Sequence, residues 1–143
     1  MSKLLQRSDL PGTPGSPWCC GTARYSTGVT SLGTRLVVGV RCRFVGLPEV
    51  EALLDTGAEW SLIGGELAEM LAEESPREHD DDERPFLMRT RDGDVRGSLY
   101  RVVVTLIADS GSSLEVSASV LLAKDWRLVP VLGYRGFLER IRI

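Results

Sequence analysis

The feature that most restricts this chain is a strict two-residue alternation near its end. Leu114, Val116, Ala118, Val120 and Leu122 are apolar, and Glu115, Ser117 and Ser119 stand between them. Successive side chains of an extended strand point to opposite faces, so this pattern predicts one buried face and one polar face. Leu36, Val38, Val40, Cys42 and Phe44 repeat it, with Arg41 and Arg43 turned the other way. Gly46-Leu47-Pro48-Glu49 predicts a turn, and Val50 to Leu54 a returning strand, so the pair reads as a hairpin. Phe86 to Thr90 and Val95 to Ala108 flank the turn signal Arg91-Asp92-Gly93-Asp94, and Asp109 to Ser113 is a further turn. Residues 64–74 are predicted helical, with Leu67, Met70 and Leu71 on one face and Ser75-Pro76 as the stop. Leu128 to Leu132 is a short apolar run, and residues 134–140 have room for one or two helical turns. Many short strands separated by turns predict an all-β barrel or sandwich.

At 143 residues the chain is sized for one domain. That domain is expected over 34–143. Residues 1–33 read as a flexible tail, because Pro11, Pro14 and Pro17 alternate with Gly and Ser, and such segments bury too little apolar surface to offset their ordering entropy. Val29 to Leu32 is a candidate short strand inside it. The start leads into Pro and Gly and not into the apolar run of a signal peptide. Three cysteines, two of them adjacent at Cys19 and Cys20, exclude a disulfide scaffold and point to a reducing cytoplasm. Cys42 is expected to be a small buried hydrophobe. With 17 basic and 20 acidic residues the net charge is -3, so there is no overall basic footprint for nucleic acid or an anionic membrane. No apolar run approaches the ~20 residues that span a bilayer.

The single histidine, His79, sits in a charged stretch with Asp80, Asp81 and Asp82. Consecutive residues cannot all converge on one ion, so the stretch is expected to be a solvated loop, and neither a metal nor another cofactor is expected. A metal hydrolase built on His79 is the weaker rival, and it would lose activity to chelators and keep it in Asp55→Asn.

One segment stands apart: Leu53-Leu54-Asp55-Thr56-Gly57-Ala58-Glu59-Trp60. A carboxylate follows an apolar strand directly, and an ionised carboxylate in such a setting is costly unless hydrogen bonds compensate it. Gly57 lets a backbone N–H come close to the Asp55 oxygens, and Thr56 can both donate and accept. The same residues also suit a plain turn in which Asp accepts local N–H groups.

The segment resembles the catalytic loop of the retroviral-type aspartic peptidases, the retropepsins, and especially their bacterial branch. Two further stretches match that family in order: Arg89 to Gly97, where the family has its flap hairpin, and Val131-Leu132-Gly133-Tyr134-Arg135-Gly136-Phe137-Leu138, similar to the family's apolar pair plus Gly ahead of a short helix. The resemblance covers about residues 35 to 143. It implies a closed retropepsin-like β-barrel with one or two short helices, whose half-site is completed by homodimerisation.

With one Asp-Thr-Gly per chain, the resemblance implies that Asp55 from each of two subunits meets on a two-fold axis. The two carboxylates share a proton, the ionised one activates a water, and the protonated one polarises the scissile carbonyl. Thr56 resembles the residue that locks both loops across the dimer, and Gly57 and Ala58 complete the loop. Asp92, Gly93 and Asp94 form the flap tip, or else an ordinary surface turn. A peptide or protein substrate would bind as an added strand under that hairpin. Trp60 either lines a substrate subsite or packs in the core. Glu59 and Arg135 either form an ion pair that braces the loop or stand as solvated charges. Family dimers are held by a sheet of chain termini, for which Ile141-Arg142-Ile143 leaves only a short strand. The expected activity is aspartic endopeptidase, with neither nucleic acid nor membrane as partner. The alternative is a retropepsin-fold dimerisation or peptide-binding module that does not cut.

Overall fold

The computed structural model describes residues 2–6, 19–23, 26–28, 37–78, 85–90 and 93–142. The strands are β1 (Ser2–Gln6), β2 (Cys19–Ala23), β3 (Ser26–Gly28), β4 (Val37–Phe44), β5 (Glu49–Leu54), β6 (Ser61–Ile63), β7 (Phe86–Thr90), β8 (Gly93–Leu106), β9 (Ser110–Gly111), β10 (Leu114–Leu122), β11 (Val131–Leu132) and β12 (Ile141–Arg142). One α-helix, α1 (Gly65–Glu74), and a 3-10 turn at Leu138–Arg140 complete the set.

Two-residue alternation dictates the central pairing. β8 and β10 run antiparallel from Leu106↔Leu114 to Ser98↔Leu122, which puts Val102, Val104, Leu106, Leu114, Val116, Ala118 and Val120 on one inner face. β4 contributes Val40, Cys42 and Phe44 to the same core while Arg41 and Arg43 stay exposed. β4 closes the sheet by pairing Cys42–Phe44 with Val104–Leu106 of β8. The cycle β4-β5-β11-β6-β10-β8 is therefore a closed six-stranded barrel, with β3 appended to β4 and β7 to β8. Closure leaves no edge within the cycle and resolves the choice between barrel and sandwich.

Several expectations are corrected. Part of the expected tail is strand: β1 pairs with β2 and, at Leu5↔Arg142 and Gln6↔Ile141, with β12. Those partners are remote in sequence, so Gly and Pro content alone could not reveal them. Val29–Leu32 and His79–Asp82 lie outside the described residues. On α1 the inward face is Ala68 and Leu71 with Leu67 half-buried, whereas Met70 is 47% exposed. The helix stops as expected, with the Ser75 N–H donating to Leu71 O at 2.9 Å. Of the run 128–132 only Val131–Leu132 is strand. β6 was not foreseen, because three buried residues are too few to display a period.

The polar side of β10 is only partly solvated. Ser119 is buried, and its hydroxyl donates to Glu78 Oε1 at 2.8 Å, which also meets Arg101 Nη2 at 2.5 Å. Arg140 donates to the Ser117 carbonyl. Charge pairing thus covers a face that alternation alone would leave in water.

Cys42 is fully buried as expected, and burial pushes its thiol from 9.0 up to about 12. The folded state holds the protonated form, so this contribution to stability is complete below about pH 9 and is lost as pH rises toward 12. Iodoacetamide at about pH 8.5 should leave Cys42 unmodified in the folded protein and alkylate it in guanidinium, read by peptide mass spectrometry. Equal labelling in both states would contradict its place in the barrel.

Candidate functional site

The site begins with a topological constraint. β11 lies between β5, to which it is parallel, and β6, to which it is antiparallel. The chain from Asp55 to Trp60 must therefore cross the end of β11. Leu53 N–H donates to Pro130 O at 2.8 Å and Asp55 N–H to Leu132 O at 3.1 Å. On the other side Tyr134 N–H donates to Ala58 O at 2.9 Å and Arg135 N–H to Glu59 O at 2.8 Å. At the centre, the Gly133 N–H donates to the fully buried Ser61 hydroxyl at 3.0 Å. A Cβ at Gly133 would sit 2.4 Å from the Trp60 carbonyl carbon and oxygen, so only glycine permits this approach.

Within the loop the Gly57 N–H donates to Asp55 Oδ1 at 2.8 Å, and Ala58 N–H donates to Asp55 O at 3.2 Å. A Cβ at Gly57 would lie 3.1 Å from Asp55 Oδ1, tighter than ordinary contact. The Asp55 carboxylate is thereby oriented while remaining exposed. It opens onto a cleft of about 290 Å³. Asp55, Gly57 and Ala58 form one wall, Met88, Arg89 and Thr90 of β7 another, and the lining is largely apolar, with Leu53, Leu62, Trp126 and Val131 among it. The arrangement can hold an extended apolar group against a fixed, hydrated carboxylate.

The other expected site residues divide. Thr56 is exposed at the tip of the loop, beside the cleft and not lining it. Glu59 and Arg135 do meet, at 3.4 Å, but both side chains are more than half exposed, so their attraction contributes at most about 1 kcal/mol. The stronger brace is the backbone pairing beside them. Trp60 packs edge-on against Phe86 with ring centroids 5.9 Å apart, and the Arg135 guanidinium lies 5.7 Å from its ring centre. Trp60 is half-buried and does not line the cleft, and its Nε1 is buried with no hydrogen-bond partner among the described residues. Gly93, at φ 119, and Asp94 open β8 opposite Thr90 and Arg89. The Thr90 hydroxyl donates to Gly93 O at 2.7 Å, and both Gly93 and Asp94 are exposed and outside the cleft lining. Asp92 lies outside the described residues.

Sequence reading missed Ser61, Met88 and the rim residues Leu128 and Val129, which are 56% and 47% exposed. The signal for the rim was an apolar pair just before Pro130; Ser61 gave none, because its role depends on a glycine 72 positions away. Among the described residues no three His, Cys, Asp or Glu side chains are placed to hold a metal ion. No helix among them is long and apolar enough to cross a membrane. Comparison of the chain with protein-family models and with curated proteins gives no match in either.

Ser61→Ala leaves the buried Gly133 N–H without an acceptor and should cost about 1–3 kcal/mol in urea denaturation. A change below about 0.5 kcal/mol would show that the Ser61–Gly133 bond does not secure the loop.

Proposed function

We propose that the protein is an aspartic endopeptidase that works as a homodimer, with Asp55 of each copy facing the other across a two-fold axis. The observation that carries this reading is the Asp55 carboxylate itself: oriented by the Gly57 N–H, exposed, and set at an apolar cleft walled on one side by Met88, Arg89 and Thr90 of β7. A closed barrel with such a loop and hairpin is compatible with a retropepsin-like half-site. An odd cysteine count agrees with a reducing, cytoplasmic setting.

In this reading the two carboxylates share one proton, because like charges so close cannot both ionise. The ionised one removes a proton from a water held between them, and the protonated one donates to the scissile carbonyl oxygen. The water oxygen bonds to the carbonyl carbon. The proton then passes to the departing amine as the C–N bond breaks, and the roles reverse. A peptide strand lying in the cleft would place an apolar side chain against Leu53, Leu62 and Val131.

Cleavage of a mixed peptide library between about pH 4 and 7 is the direct test. Wild type should cut with a two-limbed pH profile, and Asp55→Asn should be about 10²–10⁴-fold slower. Cutting by neither protein, where both are dimeric, would leave the non-catalytic peptide-binding module. Cutting by both would place the chemistry elsewhere.

A site shared by two chains also predicts a concentration law. Below the dimer dissociation constant the rate should rise with the square of protein concentration, with dimer formation followed by analytical ultracentrifugation. A rate linear in protein over that range would rule out a shared site.

A further inference from the structure

The Asp55 loop and the opposite wall of its cleft touch at a point outside the cleft. Trp60 ends the crossing that begins at Asp55, and Phe86 begins β7, whose Met88, Arg89 and Thr90 form that wall. The two rings meet edge-on, with centroids 5.9 Å apart and planes at 83°.

Trp60 is a fixed post. Its backbone forms a parallel bridge with Arg135, and its carbonyl group packs where a Cβ at Gly133 would sit 2.4 Å away. The Arg135 guanidinium lies 5.7 Å from its ring centre. Its buried Nε1 has no hydrogen-bond partner among the described residues. Buried indole N–H groups ordinarily find an acceptor, so this ring is placed by what it packs against and not by a hydrogen bond. Those neighbours are Arg135 and Phe86.

Phe86 is 39% exposed, so burial explains little of its position. β7 pairs with β8 along its whole length, from Phe86↔Gly97 to Thr90↔Gly93. A strand pair twists and bends about its hydrogen bonds, which leaves the distance from β7 to the Asp55 loop to side chains. They bridge it at Met88, in a buried cluster with Leu62 and Trp126, and at Phe86 against Trp60. Methionine adapts to its surroundings, whereas an edge-on ring pair has a defined separation.

We propose that Phe86 is a positioning residue. Through Trp60 it sets the width of the Asp55 cleft, and with it the preference for a bulky apolar side chain over a small one beside the bond placed at Asp55. The reaction in that statement rests on the peptidase reading; the binding preference does not. The Asp55 carboxylate is oriented from its own loop by the Gly57 N–H, so Phe86 acts on fit and not on the chemistry.

Two substitutions separate the ring contact from apolar bulk. Phe86→Leu keeps an apolar side chain and removes the ring, and Phe86→Tyr keeps the ring. The position is partly exposed, so both variants are expected to fold, which circular dichroism checks. The probes are fluorescein-labelled Ala-Ala-Phe-Phe-Ala-Ala and its all-alanine counterpart, titrated by anisotropy into the full-length chain carrying Asp55→Asn, which blocks turnover. The preference for the phenylalanine peptide should fall about fivefold with Phe86→Leu and stay within about twofold with Phe86→Tyr. No such preference in the parent protein, or one unchanged by Phe86→Leu, would overturn the proposal. Equal loss in both variants would also overturn it and make Phe86 an ordinary packing residue. With Asp55 restored, the phenylalanine peptide as substrate should show the Phe86→Leu loss in KM, with kcat held within about twofold. A loss in kcat with KM unchanged would overturn the positioning role. Ring-dependent binding preference with no peptide cut by any form would sink the peptidase reading alone. Asp55-dependent cutting with a preference indifferent to Phe86 would sink the positioning role alone.

Discussion

Five hydrogen bonds between residues 53–61 and 130–135 hold the Asp55 loop, and the site depends on them. They arise because β11, only two residues long, is inserted between β5 and β6. A two-residue strand has almost no stability of its own. Here it is paired on both sides, and its flanking residues extend the pairing over the loop. The carboxylate is thus oriented from below by the barrel and locally by Gly57, with no contact from other charged side chains required. Gly133 and Ser61 make this possible: one removes the Cβ that would block the crossing, and the other gives the Gly133 N–H its acceptor.

The same crossing separates rigidity from exposure. Leu132 and Leu62 are buried beneath the loop, while Asp55, Thr56 and Gly57 are exposed above it. A carboxylate poised for chemistry needs water on one side and fixed donors on the other. The cleft wall opposite belongs to β7, whose one strand partner among the described residues is β8; Met88 anchors it in a buried cluster with Leu62, Leu99 and Trp126, and Phe86 packs on Trp60.

β12 pairs with β1 of the same chain, in a four-stranded sheet ordered β12-β1-β2-β9. Among the described residues, Arg77 after α1, Arg96 of β8 and Lys124 after β10 line one cavity although they are far apart in sequence.

The sequence by itself determined the strand-rich class, the inner faces of β4, β8 and β10, the end of α1 at Ser75 and the burial of Cys42. Each follows from a period or a stop signal that acts over a few neighbouring residues. It also singled out Asp55-Thr56-Gly57, because a carboxylate directly after an apolar strand is unusual enough to stand out. The tertiary structure alone decided that the sheet closes, that β1 and β12 pair, that Trp60 packs on Phe86, and that Ser61 and Gly133 secure the loop. It alone brought three cations together. These depend on backbone and side-chain partners tens of residues apart, and no local pattern records a hydrogen bond whose two ends are chosen by the closing of a barrel.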